Sequence, residues 1–292
     1  MHNFRVNYVK ILDVLKGLGF KSENFLHQIR KPKLSDLQLM ALTFTAEYMG
    51  IDSEHQLFRV LPSDFRLLIE RSVYNRRKRR LFFQLEAVRE KLSAGLTGKE
   101  KHLIVDSMPL EICKLSRSGR SKICKETAYA MPDKGYCASQ KLYYYGYKLH
   151  AVCSVKGVFQ SLDITPASVH DLHYLKDVKI QFSNCTILGD KGYLSAEHQL
   201  NLFECRQIKL EIPMRKNQIN YQKQPFVFSK SRKRIETLFS QLCDQFMIRR
   251  NYAKSFAGFK TRILSKITTL TVIQFINNSL NRNINNLKIN IT

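Results

Sequence analysis

The chain has 292 residues and a formal net charge of +24, from 48 Lys and Arg against 24 Asp and Glu. This length allows one large domain or two ordinary ones, and so strong a positive charge is best tolerated beside a polyanion, which makes nucleic acid the expected partner. No apolar run approaches a membrane span and residues 1–10 hold no apolar signal core, so we predict a cytoplasmic, nucleoid-associated protein with no membrane partner.

The first 98 residues show helical spacing and no convincing strand. Apolar residues recur with helical period over 6–15, 34–48, 64–73 and 81–92, and Ser35 stands where an N-cap is expected. The basic run Asn75–Arg80 separates the last two helices, and residues 93–98 are typical of a linker. We therefore predict an all-α, DNA-binding N-terminal domain over 1–98.

From residue 102 the pattern changes to strands. Runs over 102–106, 147–155, 158–165, 185–190 and 208–212 predict five strands, and Lys156-Gly157 is typical of a hairpin turn. Helices are expected from Ser168, where Asp171 resembles the fourth residue of a capping box, and over 195–203. Residues 111–142 are basic and rich in turn residues, which indicates an inserted or mobile loop.

This order of elements predicts an α/β fold, a ribonuclease-H-like mixed five-stranded sheet flanked by helices. We assign residues 99–280 to this catalytic domain. A polar loop over 215–224 precedes a helix that carries Glu236, and the long apolar helix over 258–280 is expected to cover the sheet. The Asn-rich residues 281–292 predict a disordered tail.

Three acids are candidate metal ligands. Asp106 and Asp190 each follow an apolar run, and in this topology the first and fourth strands are neighbours, so the two carboxylates are expected side by side. Taken singly, such an Asp is more often a strand terminator or a helix cap. Two adjacent carboxylates repel each other unless a cation compensates, which favours a divalent ion.

Glu236 is the third candidate acid. It lies at the edge of the apolar stripe of its helix, where helical geometry predicts a half-buried side chain, with Arg232 one turn earlier. The alternative is a surface Glu paired with Arg232. Together with the two aspartates it would complete an all-oxygen site suited to Mg²⁺, for which Mn²⁺ can substitute.

Other side chains invite two interpretations each. Cys113, Cys124 and Cys137 with His150 are spaced too irregularly for a zinc knuckle, so buried or incidental thiols are favoured. The tyrosine cluster consists of Tyr143, Tyr144, Tyr145 and Tyr147. These side chains could stack on unpaired bases or pack in the core, and core packing is favoured for at least two of them. A metal site and a helix cap both suit the group His170, Asp171 and His173.

Basic residues near the acids are the expected phosphate contacts. Between 211 and 262 there are twelve Lys or Arg against three acids, more than a solvated helix face needs. The predicted contacts near the chemistry are Lys191, Arg215, Lys216, Arg232, Lys233 and Arg234. A second contact with the DNA backbone is predicted at Arg76, Arg77 and Lys78, with simple solvent exposure as the equally weighted alternative.

In these motifs the chain resembles the DDE transposases of bacterial insertion sequences, over about 102–275. The resemblance rests on six segments: Val105–Pro109, Tyr145–His150, Thr165–Asp171, Leu188–Tyr193, Pro213–Asn217 and Lys230–Glu236. It implies a metal-binding triad of Asp106, Asp190 and Glu236. It also implies cleavage and strand transfer at the element ends by two-metal phosphoryl transfer. In a related signature a Tyr and a Lys flank the Glu, but Ser229 and Cys243 occupy those places here.

The resemblance further implies double-stranded DNA as partner, both the terminal inverted repeats and the target, and a homodimer or larger assembly that brings two ends together. Two alternatives stay open. The first is another ribonuclease-H-like nuclease, which would cleave without joining strands. The second is a DNA-binding element product without catalysis.

Overall fold

The computed structural model describes residues 4–98, 100–138, 140–218, 221–287 and 291. The chain divides into two compact units, residues 97–240 and a unit made of 1–96 with 241–292. None of the helices in the described residues is long and apolar enough to cross a bilayer.

The unit made of 1–96 and 241–292 is helical. Ser35 begins the second helix as predicted, since its hydroxyl accepts from the Gln38 N–H while the Gln38 side chain accepts from the Ser35 N–H. The helices are α1 (Phe4–Lys16), α2 (Asp36–Tyr48), α3 (Glu54–Val60), α4 (Ser63–Arg66), α5 (Arg71–Arg80), α6 (Phe82–Thr97) and α10 (Phe256–Ser279). The predicted helix over 64–73 is wrong, because the chain leaves α4 at Arg66 and begins α5 at Arg71. The predicted linker over 93–98 is helical up to Thr97.

The C-terminal helix α10 packs with α1, α2 and α5. Residues 241–280, which were assigned from the sequence to the catalytic domain, therefore group with the helical unit. A helix that is apolar on all sides is predicted to be buried, but its sequence does not indicate which elements pack against it. Leu287 is buried and the Asn286 carbonyl accepts from Asn277, so described residues of the predicted disordered tail are packed. Residues 288–290 and 292 lie outside the described residues.

Helix α5 contains the basic run that was expected to separate two helices. Tyr74, Arg77 and Lys78 lie at i, i+3 and i+4, so they share one face, and all three are buried. Arg77 Nη2 pairs with Asp36 Oδ1 at 2.6 Å. Lys78 Nζ lies 3.6 Å from a carboxylate oxygen of Glu54. The predicted DNA contacts at Arg77 and Lys78 are therefore wrong, because both cations are held inside the unit by carboxylates.

The other unit is built on one sheet. In the described residues its strands are β1 (His102–Cys113), β2 (Asp133–Cys137), β3 (Leu142–Ser154), β4 (Phe159–Pro166), β5 (Cys185–Leu188) and β6 (Ile208–Glu211). They run in the order β2-β3-β1-β5-β6, with β4 also paired to β3. The helices that flank this sheet are α7 (Leu175–Gln181), α8 (Ala196–Arg206) and α9 (Phe226–Asp244). The predicted α/β ribonuclease-H-like fold is confirmed, with six strands instead of five.

The extra strand, β2, lies in the segment that was predicted to be a loop. β2 pairs with residues 142–146 of β3, and β4 pairs with residues 147–153 of the same strand. The two short strands therefore share one edge of β3. Strand β1 is also longer than predicted, because β3 continues to pair with it as far as Cys113.

The core of this unit lies on one face of the sheet. Leu103, Val105 and Ile187 pack there against Tyr174, Leu175 and Val178 around α7 and against Leu202 of α8. The helix expected from Ser168 begins later. A 3₁₀ turn covers Asp171–Tyr174, capped by the His170 side chain, and leads into α7. The predicted capping role of Asp171 is therefore wrong.

Candidate active site

The parallel pairing of β1 with β5 brings Asp106 and Asp190 to the same level. Leu103 pairs with Ile187 and Ile104 with Leu188, so two residues further along each chain the register reaches the two aspartates. The β1–β5 ladder ends before them, which leaves both carboxylates beyond its last pair. Asp106 nonetheless lies in mid-strand, since on its other side it pairs with Ala151 of β3.

Backbone N–H groups orient both aspartates. The Ser107 N–H donates to Asp106 Oδ1 at 2.8 Å. The Gly192 N–H donates to Asp190 Oδ1 at 2.7 Å, so Asp190 caps the 3₁₀ turn Lys191–Tyr193. A Cβ on Gly192 would lie 2.9 Å from that same oxygen, closer than real Cβ contacts. The turn that presents Asp190 therefore needs glycine at 192.

Glu236 is placed by the burial of its helix. Ile235, Leu238 and Phe239 of α9 are buried and set the rotation of the helix. Glu236 is exposed, which corrects the expectation of a half-buried side chain. Within the part of the chain that the structure describes, Glu236 makes no ion pair, so the alternative pairing with Arg232 is not seen.

The three acids act on one another electrostatically. Burial, as the largest cause, and the negative charges of Asp190 and Glu236 together raise the pKa of the Asp106 carboxyl from 3.8 to about 7. The Ser107 N–H and the Arg232 guanidinium act in the opposite direction. The net rise in pKa means that the Ser107 N–H and Arg232 do not fully offset burial and the two neighbouring carboxylates. The ionised form of Asp106 would therefore be stabilised by further positive charge. An all-oxygen donor set of this kind suits Mg²⁺.

Although these acids interact, the described residues contain no group of three His, Cys, Asp or Glu side chains already drawn together as a metal cage. All seven cysteines lie in the described residues, and none of them forms a disulfide. Cys124, Cys153 and Cys185 are buried, and burial raises the pKa of the Cys124 thiol to about 11.

Asp171 is a fourth acid beside the pair of aspartates. Its Oδ2 and the Asp190 Oδ1 both lie within 3.5 Å of the point where a Gly192 Cβ would stand. Its Oδ1 accepts from the Ser107 hydroxyl at 3.2 Å and from Lys148 Nζ at 3.0 Å. Ser107 and Asp106 are consecutive in β1, so Asp171 reaches the site from the opposite face of the sheet. The sequence predicted Asp171 only as a helix cap or as part of a metal site with His170 and His173, because the contacts that place it here come from two distant strands.

Two buried polar atoms near these acids have no hydrogen-bond partner in the described residues, His150 Nδ1 and Tyr193 Oη. His150 Nδ1 lies 3.9 Å from Asp171 Oδ1. Burial lowers the pKa of His150 to about 4, with Asp171 acting in the opposite direction, so the imidazole is neutral at pH 7. Burial and the nearby aspartates raise the pKa of Tyr193 well above 10, so its hydroxyl keeps its proton.

The predicted phosphate contacts differ in their exposure, and one of them acts on Asp106. Arg232 is half-buried and lowers the pKa of Asp106, which places its charge among the acids. Arg234 is half-buried on the same helix. The exposed members of the predicted set are Lys191, Arg215, Lys216, Lys233 and, in the helical unit, Arg76. Of the tyrosine cluster, Tyr144, Tyr145 and Tyr147 are buried, which confirms the core interpretation for those three.

A comparison with protein families agrees with this geometry. The family described as "Transposase DDE domain" matches residues 97–272, more than half of the chain. No curated protein matches the sequence. The matched region contains both aspartates, Glu236 and the whole sheet on which they stand. The chain therefore belongs to the DDE transposase family.

Proposed function

We propose that this protein cuts DNA at the ends of an insertion sequence and joins the freed ends to target DNA, with Asp106, Asp190 and Glu236 as the reactive carboxylates. The observation that carries the proposal is the register of β1 against β5, which brings two aspartates together. The raised pKa of Asp106 supports it, because the negative charges of Asp190 and Glu236 add to the larger effect of burial. The family match supports the reaction class.

The three carboxylates would hold Mg²⁺, with Mn²⁺ as a substitute. Their oxygen donors fit such an ion. A bound cation would also reduce the repulsion of Asp106 by Asp190 and Glu236. Two bound ions would supply a water of lowered pKa and charge stabilisation for the departing 3′-oxygen, which is what in-line phosphoryl transfer requires.

The protein's own groups orient the reactants. The Ser107 and Gly192 N–H groups hold one oxygen each of Asp106 and Asp190, which fixes the direction in which the other oxygens point. Arg232 supplies a positive charge beside Asp106, suited to a phosphate oxygen of the bound strand. The exposed cations Lys191, Arg215, Lys216 and Lys233, with the half-buried Arg234, would bind neighbouring phosphates.

Recognition of the element ends is assigned to the helical unit, where Arg76 is exposed on α5. Joining two ends to one target requires two active sites, so we infer a homodimer or larger assembly on DNA. The inverted repeats would be bound as double-stranded DNA before cleavage.

The direct test uses a labelled duplex that carries the inverted repeat flanking the gene, a supercoiled target and Mg²⁺. Cleavage and joined product are expected from the natural protein, and neither from Asp190→Ala. Asp163→Ala is the matched control, because Asp163 is a half-buried acid of β4 that interacts electrostatically with Asp177. Cleavage without joining would favour another ribonuclease-H-like nuclease. Activity that survives in Asp190→Ala would overturn the site assignment.

A further inference from the structure

The hairpin of β2 and β3 presents an exposed tyrosine pair. Tyr136 and Tyr143 face each other across the two strands, with ring centroids 4.8 Å apart. Their exposed fractions are 51% and 63%, so both rings are open to solvent. Lys134 is exposed and lies two residues before Tyr136, on the same face of β2. We call Lys134, Tyr136 and Tyr143 the hairpin face.

The hairpin face lies on the same side of the sheet as Asp106. Asp106 pairs with Ala151, and Tyr143 precedes Ala151 by eight residues along β3. Side chains alternate along a strand, so an even spacing puts both on one face. At about 3.3 Å per residue, eight residues span roughly 26 Å. The tyrosine pair is therefore too far away to stack on bases at the cleaved bond.

The surface between the two points is basic. The Tyr147 hydroxyl, on this same face, donates to the Ala130 carbonyl at 2.7 Å, so the segment 114–131 covers the sheet here. This segment has one acid, Glu126, and its five basic side chains are all exposed: Lys114, Arg117, Arg120, Lys122 and Lys125. The segment that covers this face of the sheet therefore adds net positive charge to the face that carries both Asp106 and the tyrosine pair.

We propose that the hairpin face contacts the backbone of duplex DNA roughly eight base pairs from the bond that is cut. The spacing follows from about 26 Å of strand and a rise of about 3.4 Å per base pair. Tyrosine hydroxyls and lysine ammonium groups are suitable donors to phosphate oxygens, and the rings can pack on deoxyribose. Residues 111–142 carry seven Lys or Arg against three acids, which suits a polyanion better than a second copy of this basic chain. This inference rests on the proposed function.

The test measures binding in EDTA, so that no cleavage occurs. The probe is a fluorescent 30-base-pair duplex that carries the inverted repeat flanking the gene. Tyr136→Ala with Tyr143→Ala should weaken binding about tenfold, the effect of losing two modest contacts. Lys134→Gln should lower the slope of log affinity against log salt by about one. Matched controls on the opposite face are Phe203→Ala of α8 and Lys176→Gln of α7, both exposed, and neither should change binding.

A length series tests the spacing. Duplexes that extend twelve base pairs beyond the cleavage position should bind the natural protein more tightly than duplexes that extend five, and the double tyrosine variant should not distinguish them. Far-ultraviolet circular dichroism confirms that each variant is folded.

Three results would overturn the inference: unchanged duplex binding in the tyrosine variant, a loss confined to single-stranded DNA, or a loss of self-association in its place. The Asp190→Ala variant separates this inference from the proposed function, because it should bind the duplexes normally and fail to cut them. Cutting by that variant would refute the proposed catalytic site and leave the binding result standing.

Discussion

Replacing Asp106 by Asn should stabilise the metal-free protein, and more so as the pH rises. Asp106 is half-buried, and burial together with Asp190 and Glu236 raises its pKa from 3.8 to about 7. A raised pKa means that the folded state holds the proton more tightly than the unfolded state. The stability contributed by this group is therefore fully present below pH 4 and is lost as the pH rises through 7.

The magnitude follows from the shift. A difference of about three pKa units corresponds to about 4 kcal/mol of destabilisation above pH 8 and to about 2 kcal/mol at pH 5, where the folded carboxyl is still protonated. These are upper figures, because the side chain keeps some contact with solvent. Asn has the same shape and no charge, so the Asp106→Asn variant should gain about 2 kcal/mol more at pH 8.5 than at pH 5.

The assay is urea unfolding in EDTA at the two pH values, with the exposed acid Glu204 replaced by Gln as the matched control. The control should show no pH-dependent gain. If Asp106→Asn is no more stable than the natural protein at pH 8.5, or its gain is the same at both pH values, the electrostatic description of the site is wrong. The same variant should be inactive with Mg²⁺, which would show that the Asp106 carboxylate is needed for activity although it destabilises the fold.

Three further substitutions test the surroundings. Gly192→Ala should lower cleavage at least tenfold, because its Cβ would lie 2.9 Å from the carboxylate oxygen that the turn holds, and DNA binding in EDTA should stay normal. Burial lowers the pKa of His150 to about 4, so the folded state binds a proton less readily than the unfolded state. The free energy of unfolding of the natural protein should therefore fall by about 3 kcal/mol from this residue as the pH drops from 6.5 to 4. Urea unfolding of His150→Gln should not show this fall. Arg77→Ala should cost about 3–5 kcal/mol because it leaves the buried carboxylate of Asp36 unpaired, whereas Arg76→Ala should change unfolding by less than about 0.5 kcal/mol. Equal effects of the two arginine variants would contradict the placement of α5.

The fold class and the two aspartates were predictable because their signals are local. An apolar run of four residues predicts a buried strand wherever its partners lie, as the β5 segment Cys185–Leu188 shows. Ser35 has a capping box that involves neighbours within three residues, and it was predicted correctly for the same reason. The adjacency of the first and fourth predicted strands followed from topology, and the register of β1 against β5 agrees with it.

Only the tertiary structure decided features that depend on distant partners. Strand β2 has little apolar character of its own and exists because an edge of β3 is available to pair with it. Arg77 looks like a surface cation in sequence, yet Asp36, 41 residues away, makes its burial possible. Asp171 stands beside the pair of aspartates because Ser107 and Lys148, from two other strands, hold its carboxylate. Hydrophobic periodicity records which face of an element is buried, but the sequence carries no local mark of which distant group meets that face, because that pairing is made only when the chain is folded.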